Sequence, residues 1–161
     1  YENQVLITGG TIDKAYKELT GELSFTETHM VDMFNRGRCM ADTLSEVLFL
    51  KDSLEMVDSD RGFILDKCLS CDEQHILITH GTDTMAQTAK FLAEKIKDKT
   101  VVLFGSMIPY SVDNSDALFN LGVALSAVQL KKPGVYIAMN GRVFDFDQVK
   151  KDKSLGIFID A

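Results

Sequence analysis

Cysteine is scarce in this chain of 161 residues, with only Cys39, Cys68 and Cys71 present. An odd, small number excludes a secreted disulfide scaffold and fits a reducing compartment, so a cytoplasmic protein is expected. Cys68 and Cys71 have C-x-x-C spacing, but they close an expected helix and precede Asp72-Glu73, the wrong electrostatics for a reactive thiolate. For zinc, only Cys39 and His75 stand ready to complete a ligand set, and no H-x-x-H or HExxH spacing occurs. Basic residues are also in deficit, 17 against 24 acids, for a net charge of −7 and a pI near 4.9. That excludes a nucleic-acid face, and the short clusters Lys95-Ile96-Lys97 and Lys150-Lys151 read as solvated surface. No apolar run reaches the roughly 18 residues of a membrane helix, and no signal peptide is visible. Repeats, low-complexity tracts and linkers are absent as well. Gly9-Gly10 is followed by Asp13 with no lysine at the Walker position, which excludes a phosphate loop.

An apolar fraction of 45% and a charged fraction of 25% describe an ordinary globular domain with a continuous core, and residues 1–161 are expected to form one. Strand-like and helix-like runs alternate. Strands are predicted at Val5–Thr8, Glu46–Leu50 (buried), Gln74–Thr79, Val101–Gly105 and Val135–Met139, with another at Gly156–Ile159. Helices are predicted over Thr28–Met40, from an Asp58 N-cap to about Cys71, over Asp83–Ile96, and from an Asn114 or Ser115 cap to Leu130. In the third helix, Ala86, Ala89, Leu92, Ala93 and Ile96 share a face. Residues 9–26 form a loop with a short hairpin around Glu22–Thr26. This order implies right-handed βαβ units and a three-layer Rossmann/flavodoxin-like α/β fold, with a mostly parallel sheet and helices on both faces.

Two threonines stand out. Thr11 in ITGGTID and Thr82 in ITHGTDTM each follow a short β-branched run and a glycine. Turns at the carboxyl ends of parallel strands are where such folds bind ligands, so both hydroxyls are expected in one site. A threonine hydroxyl is a nucleophile only when a neighbour takes its proton. His80 reads as a hydrogen-bonded structural residue, and Asp83 taken alone could be a charge favoured by a helix N-terminus.

The runs ITGGTID, KDSLEM, ITHGTDTM, VVLFGSMIP and SDALFNLGVAL, in that order, resemble the N-terminal domain of bacterial-type L-asparaginases across nearly the whole chain. The larger relatives add a C-terminal domain, so the resemblance implies a short, single-domain form. It further implies an amidohydrolase that converts L-asparagine to L-aspartate and ammonia, with weaker activity on L-glutamine. Thr11 matches the family nucleophile, with Thr82 as its rival. Thr82 and Asp83 match a second triad completed by a later lysine, for which Lys151 is the best match and Lys150 the alternative. Tyr16 is the only tyrosine in the loop after Thr11, where the family places one that bonds the nucleophile; it stands closer to Thr11 than the family spacing. Gly21 would give that loop the freedom to act as a lid.

Ser53 matches the serine that holds the substrate α-carboxylate. Leu54 stands where a polar residue is usual, and Glu55 where Asp is more usual. Gly10, Asp52, Ser53, Glu55 and Gly81 form the implied substrate-binding set. No cofactor is called for.

The chemistry needs these residue types. A lysine accepts the hydroxyl proton when burial favours its neutral form, and an adjacent acid orients it. Backbone N–H groups near Gly81-Thr82 can stabilise the oxyanion. In larger relatives an acid from a neighbouring subunit reads the α-ammonium; Glu55, Asp83 or an acid across a homodimer interface are the candidates here. A non-catalytic amino-acid-binding module is the alternative. A flavodoxin-like nucleotide or redox module fits the fold but not the residues.

Overall fold

A computed structural model describes residues 1–161. In chain order the elements are β1 (Asn3–Gly9), the hairpin β2 (Ala15–Lys17) and β3 (Glu22–Ser24), α1 (Met30–Arg36), β4 (Thr43–Lys51) and α2 (Asp58–Ser70). Then follow β5 (His75–Thr79), α3 (Met85–Ala93), β6 (Thr100–Phe104), α4 (Ala117–Leu130), β7 (Gly134–Met139), β8 (Arg142–Asp145), β9 (Val149–Asp152) and β10 (Ile157–Asp160). No helix is long and apolar enough to cross a membrane.

The central sheet has the order β4-β1-β5-β6-β7-β8, parallel throughout except for the antiparallel β8. Its inner strands are continuous apolar runs because both faces are covered. Leu6, Ile76, Ile78, Val101 and Leu103 pack toward α2 and α3. Val5, Ile7, Leu77, Val102 and Phe104, which alternate with them, pack toward α1 and α4. After β1 the chain turns toward β4, and after β5 it turns the other way toward β6. The loops leaving β1 and β5 therefore diverge from neighbouring strands, which opens a crevice at the switch point of the sheet.

Several expectations need correction. The helix predicted over Thr28–Met40 is α1 alone, because Thr28 Oγ1 accepts the Met30 N–H (3.2 Å) and Arg38 takes a left-handed φ of 53°. The second strand is longer than expected and is an edge, not a buried strand, with Val47 49% exposed. Asp58 begins α2 but does not cap it; the Asp60 carboxylate accepts the Val57 N–H (3.0 Å) instead. The helix predicted over Asp83–Ile96 is restricted to α3, and Asp83 and Thr84 remain outside it, bonded to Lys151 and Ser53. Ser115, not Asn114, satisfies the start of α4, its Oγ accepting the Ala117 N–H (3.0 Å). The loop hairpin pairs Glu22–Ser24 with Ala15–Lys17.

Beyond β7 the prediction missed a hairpin. Asn140 and Gly141 both have positive φ (57° and 76°), the tight-turn geometry that Asn-Gly favours, and reverse the chain into β8. The strand expected near Gly156–Ile159 lies outside the central sheet, paired antiparallel with β9. Asn120 of α4 organises this region. Its Nδ2 donates to the Gly105 carbonyl (2.9 Å), its Oδ1 accepts the Asn140 N–H (3.3 Å), and Asn140 Oδ1 accepts the Phe158 N–H (2.7 Å). Asn120 is 1% exposed, so its loss strands buried backbone groups. Asn120→Ala is expected to lower stability by about 1–3 kcal/mol, checked by urea unfolding.

Candidate active site

Three loops meet at the crevice, and glycine lets them. A Cβ at Gly10 would lie 2.5 Å from the Gly81 nitrogen, and one at Gly81 would lie 2.8 Å from the Ser53 Oγ. Gly10 also has φ 81°, where a side chain is strained. The turns after β1, β4 and β5 are therefore in direct backbone contact. The Thr8 N–H donates to Thr79 Oγ1 (3.1 Å) and the Thr8 hydroxyl to the Thr79 carbonyl, cross-linking the strand ends below them.

Thr11 opens a single 3-10 turn, Thr11–Asp13, and its hydroxyl has no partner within the chain. Asp13 anchors that turn from below: fully buried, it accepts from the His29 N–H (2.8 Å) and the Thr28 hydroxyl (3.1 Å). Burial pushes its carboxyl above the ordinary value, partly offset by those bonds. Lys14 crosses to Asp52 (2.7 Å), tying the Thr11 turn to the Ser53 turn.

Thr82 is buried, and Lys151 Nζ donates to its Oγ1 (2.8 Å) and to Asp83 Oδ1 (2.9 Å). Strand alternation selects this lysine. Val149 and Lys151 share the inner face of β9, while Lys150 is exposed. The N–H groups of Thr82 and Asp83 donate to nothing within the chain. Ser53 is buried in a second 3-10 turn, its Oγ accepting the Thr84 N–H (3.1 Å) and its carbonyl accepting the Thr84 hydroxyl (2.9 Å).

Other expected residues are not gathered in. Tyr16 is 60% exposed on β2, and no hydrogen bond joins it to Thr11; hairpin pairing turns its ring outward. Glu55 is exposed without an ion-pair partner, and Asp52 is engaged by Lys14. The grooves along α4, beside Tyr110 and beside His75 do not reach Thr11, Thr82 or Lys151.

His80 lies wholly inside. The Gly81 carbonyl can only accept, so in the neutral ring His80 Nε2 accepts the Thr88 hydroxyl proton (2.8 Å), and Thr88 Oγ1 in turn accepts from Arg61 Nε (3.0 Å). The other ring nitrogen, Nδ1–H, then donates to the Gly81 carbonyl (2.7 Å). Burial holds the imidazole neutral, its pKa brought down to about 4. His80 is thus structural, as its strand-end position suggests. Sequence reading missed Lys14 and Arg61; charged residues that the fold buries have no local signature. The C-x-x-C carbonyls serve structure, with Lys99 Nζ donating to those of Cys68 (2.8 Å) and Cys71 (2.5 Å) at the end of α2. Burial pushes the Cys68 thiol up to about 12, which makes it inert.

A doubly wound α/β domain with two threonine turns and a Thr–Lys–Asp cluster at its switch point is the class that this geometry defines. The chain belongs to the asparaginase family: residues 4–157 match the family model for the asparaginase N-terminal region. It is 43% identical over 158 residues to the L-asparaginase of Thermococcus kodakarensis, covering 95% of this chain and 48% of that protein. It is 32% identical over 163 residues to L-asparaginase 2 of Escherichia coli, covering 95% and 47%. The solved structure of the thermostable Thermococcus kodakarensis L-asparaginase superposes with a TM-score of 0.88 at 32% identity, covering 99% of this chain and 51% of that one. A probable cytoplasmic L-asparaginase from Campylobacter jejuni superposes with a TM-score of 0.84 at 29% identity, covering 99% and 52%. The chain thus spans about half the length of these relatives.

The neutral His80 sets a pH dependence. Its folded pKa is depressed, so the unfolded chain binds more protons between the ordinary value of 6.5 and about 4, and stability falls as pH drops through that window. The loss has an upper bound on the order of 3 kcal/mol. Melting from pH 7 to pH 4 is expected to show a shallower decline for His80→Gln than for the parent, from a lower starting stability.

Proposed function

We propose that this domain carries the amide-hydrolysing machinery of an L-asparaginase. It takes L-asparagine and water to L-aspartate and ammonia, with L-glutamine as a weaker substrate. The observation that carries this reading is the Lys151 Nζ set at 2.8 Å from Thr82 and 2.9 Å from Asp83, beside the Gly10–Gly81 contact that brings Thr11 to the same crevice. A purely binding pocket has no use for a threonine–lysine–acid proton path.

In this reading the Thr11 hydroxyl, which no residue of the chain engages, attacks the side-chain amide carbon. Thr82 and Lys151 form the path along which the proton moves to the leaving nitrogen, and Asp83 orients the lysine. The free N–H groups of Thr82 and Asp83 face the oxyanion. Ammonia leaves, and water cleaves the acyl-threonine. Ser53 binds the α-carboxylate with its remaining hydroxyl proton. Asp83 is committed to Lys151, which leaves Glu55 or an acid across a subunit interface to read the α-ammonium. Tyr16 contributes when the β2–β3 hairpin closes. Three unpaired thiols support a cytoplasmic setting.

Ammonia release from L-asparagine is expected from the parent and is expected to fall about 100- to 10,000-fold in Thr11→Ala, Thr82→Ala and Lys151→Met. Quenched samples of Lys151→Met analysed by mass spectrometry are expected to carry the aspartyl adduct on the peptide holding Thr11; an adduct on the Thr82 peptide overturns that assignment. Saturable L-aspartate binding with no ammonia from the folded parent would favour a binding module.

A homodimer belongs to the same proposal. The 14 residues of α4 include no charge, unlike a helix whose outer face meets water. Phe119 (62% exposed) and Leu130 (82%) flank a groove of about 650 Å³ that Gly122, Val123 and Val143 help line. In a chain of net charge −7, this neutral apolar strip is the surface on which two copies meet with least repulsion. Sedimentation is expected to give a dimer for the parent and a monomer for Phe119→Asp; a monomeric parent overturns the assignment.

A further inference from the structure

We propose that Arg61 is a positioning residue that sets both the Ser53 and the Thr82 sides of the site, and that its buried charge serves this geometry and not stability. The inference rests on the hydrolase reading for its kinetic consequences, but not for its structural ones.

Arg61 lies on α2, remote in sequence from either threonine turn, and is 3% exposed. Its nearest carboxylate oxygen is Asp58 Oδ1, at 3.8 Å, on a side chain that is 89% exposed. The guanidinium is instead shared between two hydroxyls, Nε donating to Thr88 Oγ1 (3.0 Å) and Nη2 to Thr84 Oγ1 (3.1 Å). A buried cation held by neutral groups and a distant, solvated acid is a costly choice, and apolar replacements of such groups are often neutral or stabilising.

The two hydroxyls lead to different parts of the site. Each oxygen accepts from Arg61 and gives its single proton to an acceptor further into the site. The Thr84 hydroxyl donates to the Ser53 carbonyl (2.9 Å), while the Thr84 N–H donates to Ser53 Oγ (3.1 Å). The Thr88 hydroxyl donates to His80 Nε2 (2.8 Å), and His80 Nδ1–H donates to the Gly81 carbonyl (2.7 Å), one residue before Thr82. One planar fork thus holds the first oxygens of two relays at a fixed separation, the first relay ending on the carboxylate-binding serine and the second on the backbone that presents Thr82. Lysine cannot imitate it, because a point ammonium lacks two donors held in one plane at this separation.

Removing the guanidinium orphans no buried donor. Both threonine hydroxyls keep their acceptors, Ser53 O and His80 Nε2, and lose only an incoming bond. Arg61→Met, which keeps an unbranched side chain, is therefore expected to fold.

The test compares Arg61→Met, Arg61→Lys, Thr84→Val and Thr88→Val with the parent, by ammonia-release kinetics, thermal melting and nitrogen-15 NMR of His80 and of the backbone amides. Arg61→Met is expected to melt no lower than the parent while kcat/KM falls about 10- to 100-fold, the cost of small misplacements in a site. Thr84→Val is expected to act mainly on KM and to leave the His80 tautomer unmoved. Thr88→Val is expected to act mainly on kcat and to shift the His80 Nε2 resonance, which loses its incoming hydrogen bond. Arg61→Lys is expected not to restore either parameter. A lower melting temperature in Arg61→Met with parental kcat and KM would show a merely structural residue and overturn the proposal. So would unmoved backbone amide shifts at Ser53, Gly81 and Thr82 in Arg61→Met. If the parent releases no ammonia, the hydrolase reading fails separately, and the amide shifts of Ser53, Gly81 and Thr82 still decide whether Arg61 sets both arms.

Discussion

The contact on which the rest depends is the meeting of two glycine backbones. Gly10 and Gly81 touch with no room for a Cβ between them, and Gly81 in turn lies against Ser53. No side-chain interaction could draw three strand-end turns so close, since any Cβ at these points would collide with backbone. The parallel sheet provides the setting, because loops leaving neighbouring strands at a switch point diverge and leave a crevice. The glycines then narrow that crevice until hydroxyls from remote turns share it.

Around that contact, charge is arranged with economy. Lys151 is committed to Thr82 and Asp83, Lys14 to Asp52, and Arg61 to two threonine hydroxyls. His80, placed among them, is kept neutral by burial, so it can hold the Gly81 carbonyl with a single N–H. Most of the polar groups behind the site are satisfied by one another. The groups left without partners include the Thr11 hydroxyl and the N–H groups of Thr82 and Asp83, which the proposed chemistry requires. The groove along α4 lies elsewhere, and the chain spans about half the length of its curated relatives.

Much of this was legible from local sequence. The alternating fold and the five parallel strands follow from apolar runs bounded by turn residues, and the two threonine turns from their glycines. The Asn140-Gly141 turn was equally local and was overlooked, so β8 and the pairing of β9 with β10 went unread. Helix ends were read too generously wherever a capping residue was engaged in tertiary bonds, as with Thr28, Asp83 and Thr84.

Periodicity and steric rules act between near neighbours in the chain, and they alone determine the α/β class, the strand order of appearance and the chemical character of the two turns. Which lysine completes the Thr82 cluster was decided by the way β9 docks, which turns Lys151 inward and Lys150 to water. The outward placement of Tyr16, the engagement of Asp52 by Lys14 and the burial of Arg61 behind Thr84 and Thr88 were likewise tertiary decisions. These depend on distances between segments far apart in the chain, and a local pattern does not encode such distances.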